Sequence, residues 1–345
     1  MRAPAGRLLP LLLAPLAAAY GAAVRARNRR FDGPDRAARA PVPVVSVGNL
    51  AAGGTGKTPL VAWIARRLLA EGCRPAVVTR GFGGRAGSGP CILSDGAGPR
   101  TTWEISGDEP YLLARALPGV PVVVGSDRVA GAVAAVSCGA DVVVLDDGFQ
   151  HRRLARDLDL VLLDSRLPLG NGRLLPAGPL REPPSSLARA SALVATRAPD
   201  GDPAAVLEIA RRHAPGKPVF ASSHRPAGFV DARGVETGKP ERAVAFCGIG
   251  DPVPFLADLE RDGVVLLAAR VFPDHHPYAP REIRGLARLA ARHRAPLLTT
   301  EKDLVRLPPE AAAAAGVVAR RIEATVRDEA EFAALLLRAA KGAAQ

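Results

Sequence analysis

Cysteine is scarce in this chain of 345 residues: Cys73, Cys91, Cys138 and Cys247 lie far apart, with no C-x-x-C pair. That spacing indicates neither a zinc site nor a disulfide framework, and it suits a reducing cytosol. Aromatic residues are only 4% of the chain and never alternate with basic ones. A nucleic-acid-binding face is therefore the weaker explanation of the net charge of +12. Lysine is scarce beside arginine, and Ala, Gly and Pro are abundant, so part of the basicity reflects coding bias. The remainder favours an anionic partner such as a nucleotide or a phospholipid surface. No internal repeat is present, and hydrophobic and charged contents of 48% and 23% are those of an ordinary globular protein. The length favours two domains over one.

What is present centres on PVVSVGNLAAGGTGKTPLVAWI, which begins at Pro43. An apolar run, 44–47, leads through Gly48 and Asn49 into the glycine-rich loop Gly53, Gly54, Thr55, Gly56, Lys57 and Thr58, followed by an amphipathic stretch. Strand, loop and helix in that order let backbone N–H groups and a helix N-terminus close around a phosphate chain. Lys57 is placed to reach the β- and γ-phosphates, and the Thr58 hydroxyl suits Mg²⁺. The strict pattern wants glycine six residues before the lysine, where Ala51 stands. A turn of purely structural use is the dull alternative; binding of ATP or GTP is the reading adopted.

From residue 41 onward short β-branched runs alternate with Ala/Leu/Arg-rich helical stretches. Strands are expected at 44–47, 76–79, 122–124, 142–145, 160–163, 193–196 and 219–221, and near-continuous apolar runs of this length suit a parallel sheet covered on both faces. Helices are expected at 60–70 and 109–116, and the Gly/Pro-rich piece 169–184 reads as a long functional loop. A polar stretch to 241 precedes a second α/β unit, with strands at 243–247, 264–271, 296–300 and 317–320 and a helix at 281–293. The fold class is thus α/β: a phosphate-loop NTPase-like parallel sheet core over 31–224, a linker at 225–241, and a smaller α/β domain over 242–345. Residues 8–24 are almost uncharged, with arginines on both sides and Pro10 and Pro15 inside. A signal peptide, a single span or a buried packing helix are alternatives. Export would strand the phosphate loop away from ATP, so residues 1–30 are read as a membrane-associating interfacial helix.

Several clusters can carry chemistry. The strand 142–145 ends in Asp146 and Asp147, placed as in phosphate-loop enzymes to hold Mg²⁺, or else simply capping the following turn. Gly107-Asp108-Glu109-Pro110 sets two acids at a helix start, where Asp108 serves either as a cap or as a base for an attacking hydroxyl. Phe272-Pro273-Asp274-His275-His276-Pro277-Tyr278 offers a histidine to relay a proton, or one that merely locates a turn. Arg128 follows a strand and either reaches a transferring phosphoryl group or is solvated. The polar cluster at 299–303 has no assignable role.

Together, SVGNLAAGGTGKTP, TRGFGG at 79–84, GDEP, DDGFQHRRL, GNGRLLPAGPLREP, FCGIGDP at 246–252, FPDHHPY and TTEKD resemble the tetraacyldisaccharide 4′-kinase family of lipid A biosynthesis. They run in order over most of the chain from Pro41 to Asp303, and the Ala51 departure is shared with that family. The resemblance implies an enzyme at the cytoplasmic face of the inner membrane that uses ATP and Mg²⁺. It would phosphorylate the 4′-hydroxyl of a tetraacylated glucosamine disaccharide 1-phosphate in a cleft between two domains. By position it implies Asp108 as base with His275 as its partner, and Lys57 and Arg128 on the phosphoryl group. It gathers Thr58, Asp146, Asp147 and Glu109 about the metal and turns Gln150 and His151 toward the substrate. His276 leaves open which histidine pairs with Asp108. The expected partners are the lipid substrate and an anionic membrane surface, with no nucleic acid and no obligatory protein partner. A regulatory ATPase of the partitioning or metal-chaperone type and a soluble small-metabolite kinase are the rivals; the first does not ask for GDEP or PDHH, and the second does not account for the N-terminal stretch.

Overall fold

The computed structural model describes residues 10, 12–33, 36–54, 56–81, 83–85, 87, 89–198 and 202–342. The chain begins with helix α1 (Ala14–Arg29), then β1 (Val44–Asn49), α2 (Lys57–Ala70), β2 (Pro75–Thr79), β3 (Cys91–Ser94), α3 (Trp103–Ser106), α4 (Asp108–Ala116), β4 (Val122–Val124) and α5 (Arg128–Ser137). It continues through β5 (Val142–Asp146), β6 (Leu158–Asp164), β7 (Ala192–Thr196), α6 (Ala204–His213), β8 (Val219–Asp231) and β9 (Glu236–Thr237). The last part holds β10 (Arg242–Cys247), α7 (Pro252–Arg261), β11 (Val265–Val271), α8 (Pro280–His293), β12 (Leu297–Thr300), α9 (Glu301–Leu304), α10 (Pro309–Ala314), β13 (Val317–Val326) and α11 (Glu329–Ala340).

Strands β4, β2, β5, β1, β6, β7 and β8 lie side by side and parallel, with β3 antiparallel at the outer edge. Strands β13, β12, β10 and β11 form a second parallel run. All six residues of β1 and all five of β5 are buried, as expected for strands covered on both faces. On one face, Leu60, Ile64 and Leu68 of α2 pack with Leu113 of α4 and Phe332 and Leu336 of α11 over Val45, Val47 and Val144. On the other, Ala132 and Ala135 of α5 cover Val78, Val143 and Leu145, while Phe149, Leu180, Leu187 and Val206 cover Val161 and Leu193. In the second run Ile283 and Leu286 of α8 lie on Val244 and Leu297, and Phe255 and Leu259 of α7 on Ala245 and Leu298.

Two features differ from the sequence expectation. Residues 225–231, taken as the start of a linker, are the second half of β8, which pairs antiparallel with β13 from Ser222↔Val326 to Asp231↔Val318. One sheet therefore runs through both parallel sets, joined at the β8–β13 seam. The C-terminal helix α11, placed by sequence with the second unit, returns to the phosphate-loop side, where Phe332 meets Phe220 at 4.9 Å and Trp63 at 5.7 Å.

Of the N-terminal stretch, residues 1–9 and Leu11 lie outside the described residues. Among the described residues no helix is long and apolar enough to cross a membrane. Helix α1 buries a single stripe, Ala17, Gly21, Val24 and Asn28; Leu16 on it and Leu12 just before it are exposed at 59% and 75%.

The wholly buried ring of Phe332 closes the core between α2 and the sheet. Phe332→Ala is expected to lower unfolding stability by about 3–5 kcal/mol. Urea denaturation tests this, and a loss under about 1 kcal/mol would show that α11 is not integral to the core.

Candidate active site

The phosphate loop has the expected form. Strand β1 ends at Asn49, Gly53 and Gly56 take φ of 114° and 79°, and α2 opens directly at Lys57. Gly56 is required twice over, since a Cβ there would be strained by the backbone and would sit 2.9 Å from the ring of His224. Gly54 and Thr58 lie in the same turn, whereas Thr55 falls outside the described residues. The segment 169–184 braces the loop from outside: Ala52 N–H donates to the Pro179 carbonyl at 2.7 Å, and Arg181 N–H to the Leu50 carbonyl at 2.9 Å.

Lys57 Nζ lies 3.4 Å from Asp147 Oδ1, and Arg181 Nη1 donates to both oxygens of that carboxylate at 2.8 and 3.0 Å. Burial pushes the Asp147 carboxyl upward, but Lys57 and Arg181 outweigh it and hold the group below its ordinary range. Asp147 achieves this pairing from the left-handed region, φ 52°, which non-glycine residues seldom occupy. Gln150 donates from Nε2 to the Asn49 carbonyl at 2.9 Å and accepts from Arg181 at 3.4 Å, so it ties the DDGFQ turn to the loop.

Asp146 behaves differently from its neighbour. It is 3% exposed; Thr79 Oγ1 donates to its Oδ2 at 2.9 Å, and its Oδ1 is buried with no hydrogen-bond partner. Burial, reinforced by the nearby negative charge of Glu109, pushes this carboxyl up to about 6. A buried carboxylate with an open oxygen beside a second carboxylate fits a cation. Mg²⁺ asks for few protein ligands, since waters and phosphates supply the rest. Thr58 and Asp146 are the residues that would hold it here; among the described residues no cluster of three or more His, Cys, Asp or Glu is placed to hold a metal ion.

Arg128 is 2% exposed, and its guanidinium is turned onto the carbonyls of Gly125 and, at 3.3 Å, Asp146. Burial lowers its pKa to about 10, so it stays charged behind the acidic pair. His151 faces the same side near Asp127 and Arg128, and burial depresses it to about 4, which keeps the imidazole neutral at working pH.

Across from this group, α4 opens with Asp108, 4% exposed. Its Oδ2 accepts from His275 Nδ1 at 2.8 Å, and its Oδ1 from the Glu109 N–H at 2.9 Å. Arg306 Nε stands 3.8 Å from Oδ2. Burial alone would raise the Asp108 carboxyl; His275, Lys302 and Arg306 reverse this and keep it below its ordinary range. The bond to Asp108 raises the His275 pKa against the opposing pull of burial and Lys302. Lys302 Nζ lies 3.3 Å from both His275 Nε2 and Glu109 Oε1, and an ammonium can only donate, so the lone pair of Nε2 faces it and the Nδ1 proton faces Asp108. His276, the other histidine of the motif, bonds Glu282 at 3.0 Å instead and stacks on Phe272. The histidine paired with Asp108 is therefore His275.

The cluster at 299–303 that had no role from sequence is the frame of this half. Asp303, fully buried, accepts from the Gly248 N–H at 2.8 Å, Tyr278 Oη at 2.6 Å, Thr300 Oγ1 at 2.6 Å and Arg306 Nη2 at 2.5 Å. It ties FCGIGDP, FPDHHPY and TTEKD into one block that aims His275, Lys302 and Arg306 at Asp108 and Glu109. Sequence reasoning assigns no role to Arg181, His224, Lys302 or Arg306. Arg181 and Lys302 stood inside motifs that were singled out, but nothing local marks what they bind.

A phosphate loop closing on a lysine, an open buried aspartate beside it, and a carboxylate held by a histidine across from both define a phosphate-loop phosphotransferase. The family model of tetraacyldisaccharide-1-P 4′-kinase matches residues 9–341. The chain is 47% identical over 317 residues to the tetraacyldisaccharide 4′-kinase of Anaeromyxobacter dehalogenans (strain 2CP-C), covering 89% of this chain and 83% of that one. It is 41% identical over 350 residues to that of Syntrophus aciditrophicus (strain SB), covering 95% and 92%. A crystal structure of "apo" form LpxK from Aquifex aeolicus in complex with ATP superposes with a TM-score of 0.79 at 33% identity, over 96% of this chain and 99% of that one. The chain belongs to the tetraacyldisaccharide 4′-kinase family.

The raised Asp146 pKa has a measurable consequence. Above pH 6 the folded protein carries a charge that the unfolded chain accommodates better, so the group destabilises there; below its unfolded value near 4 the effect is gone. Asp146→Asn is therefore expected to stabilise the ligand-free protein at pH 8 by on the order of 3 kcal/mol, a gain shrinking as pH falls through 6. Urea unfolding at pH 8 and pH 5 checks it; an equal gain at both pH values would contradict the assignment.

Proposed function

We propose that the protein transfers the γ-phosphoryl group of ATP to the 4′-hydroxyl of a tetraacylated glucosamine disaccharide 1-phosphate, a step of lipid A biosynthesis, at the cytoplasmic face of the inner membrane. The carrying observation is the 2.8 Å bond between His275 Nδ1 and the buried Asp108 carboxylate, set beside the phosphate-loop cluster by Glu109, whose charge is felt at Asp146. Membership of the family supplies the acceptor.

A sugar hydroxyl is a weak acid, so a positioned base must accept its proton as the new P–O bond forms and the bond to the leaving ADP oxygen breaks. Asp108 suits this: it is ionised, its two oxygens are each fixed by one hydrogen bond, and each retains a lone pair. His275 orients Asp108 and stabilises it once protonated. Lys57 would grip the phosphates, while Arg128 holds the Asp146 carbonyl and adds fixed positive charge behind the transferring group. Mg²⁺, when bound, neutralises phosphate charge; Thr58 and Asp146 would hold it, with Asp147 and Glu109 at its margin. Gln150 and His151 are the residues of the DDGFQHRRL turn closest to a substrate role.

The acceptor's acyl chains stay in the bilayer, so the enzyme must work at its surface. Exposed Leu12, just before α1, and Leu16 on it, followed by Arg25, Arg29 and Arg30, would lie among lipid chains and anionic head groups.

With labelled ATP and the disaccharide 1-phosphate in detergent, new phosphate should appear at the 4′ position. Asp108→Asn should lower kcat by about 100-fold or more with ATP affinity nearly unchanged, whereas Lys57→Ala should weaken both. Turnover of Asp108→Asn within a few-fold of wild type would assign the base elsewhere. Replacing Leu12 and Leu16 together by Glu should reduce co-sedimentation with anionic vesicles; undiminished binding would remove α1 from the membrane contact.

A further inference from the structure

Helix α1 does more than rest on the surface. Of its buried stripe, Ala17, Gly21, Val24 and Asn28, both Gly21 and Asn28 meet the segment 169–184, and a Cβ at Gly21 would stand 2.7 Å from Leu174 Cδ1. The backbone of α1 thus approaches that segment as closely as glycine permits. Two consecutive residues of the segment are then pinned from the helix. Tyr20 Oη donates to the Arg181 carbonyl at 3.0 Å. The Glu182 carboxylate, with no exposed surface, accepts from Asn28 Nδ2 at 2.9 Å and Arg27 Nη2 at 3.2 Å, while Arg189 completes it at 2.9 Å. Arg181, so held, sends its guanidinium the other way, onto Asp147 and Gln150.

We propose that α1 is a structural part of the nucleotide site: Tyr20 and Glu182 are positioning residues that fix Arg181, and through it set how Asp147 and Lys57 share charge. This rests on the reading that the phosphate loop holds ATP. Asp147 is paired with two cations, Arg181 at 2.8 Å and Lys57 at 3.4 Å. Arg181 carries the shorter contact and leaves the Lys57 ammonium free to turn to a phosphate chain. If Arg181 is released, Asp147 has Lys57 as its remaining partner and competes with ATP for it. Removing the Tyr20 hydroxyl or the Glu182 charge should therefore appear as weaker nucleotide binding, independently of any lipid surface.

The test uses the full-length enzyme in detergent micelles, where anchoring to a bilayer plays no part. Tyr20→Phe deletes only the hydroxyl, and Glu182→Gln only the charge. Each is expected to raise the KM for ATP and the Kd of a fluorescent ATP analogue about five-fold, with kcat and the KM for the lipid within about two-fold. In an Arg181→Ala background the Tyr20→Phe effect on ATP should vanish, because the group through which it acts is gone. Unchanged ATP parameters in both single variants, or effects that simply multiply with that of Arg181→Ala, would overturn the proposal. So would a lowered kcat at unchanged ATP affinity. The analogue titration needs no acceptor, so failure to phosphorylate the disaccharide would refute the proposed function while leaving this reading to be judged by the binding data.

Discussion

The site depends on keeping one buried carboxylate charged. Desolvation pushes Asp108 toward its neutral form, which could not accept a proton, and three groups from the far end of the chain reverse this. His275, Lys302 and Arg306 come from the loop after β11 and from the turn after β12, where Asp303 holds Arg306 directly and bonds Tyr278 and the Gly248 N–H of the same block. Asp108 stands on the side of one parallel set of strands and its charge is maintained from the side of the other. Neither set holds the Asp108–His275 pair alone.

On the opposite side, the adjacent carboxylates Asp146 and Asp147 are driven apart by their surroundings. Asp147 has two cations and is held down; Asp146 has a threonine hydroxyl, an open oxygen and a second acid nearby, and is driven up. Two neighbours in sequence thus sit in opposite electrostatic settings. The left-handed backbone at Asp147 directs the two side chains apart, and His275 adopts the same unusual conformation, at φ 59°.

Much of this was legible in the sequence. GGTGKT, DDG, GDEP and PDHH announced themselves because each packs its chemistry into a few consecutive residues bounded by glycine or proline. The alternation of apolar runs and helical stretches located strands β1, β2, β4, β5, β6, β7 and β10 within a residue or two. What stayed hidden were long-range partnerships. Lys302 meets Glu109 across 193 residues and Arg181 meets Asp147 across 34, and nothing distinguishes these cations among the 46 Lys and Arg of the chain. Strand β8 was cut short at Ala221 for a similar reason. Beyond it the residues are polar and include Pro226, which normally argues against a strand. The strand continues there because its pairing passes from β7 to β13, with a register shift on the opposing strand between Arg320 and Ile322, beside Pro226.

That shared strand bears on how a bulky lipid headgroup enters and leaves. Enzymes with two lobes commonly swing about a flexible strap, but here the two parallel sets are stitched by eight paired positions along β8 and β13. Swinging them apart as rigid lobes would tear a backbone ladder. Any change of angle between the two parallel sets must therefore be taken up as twist along this one two-stranded ladder.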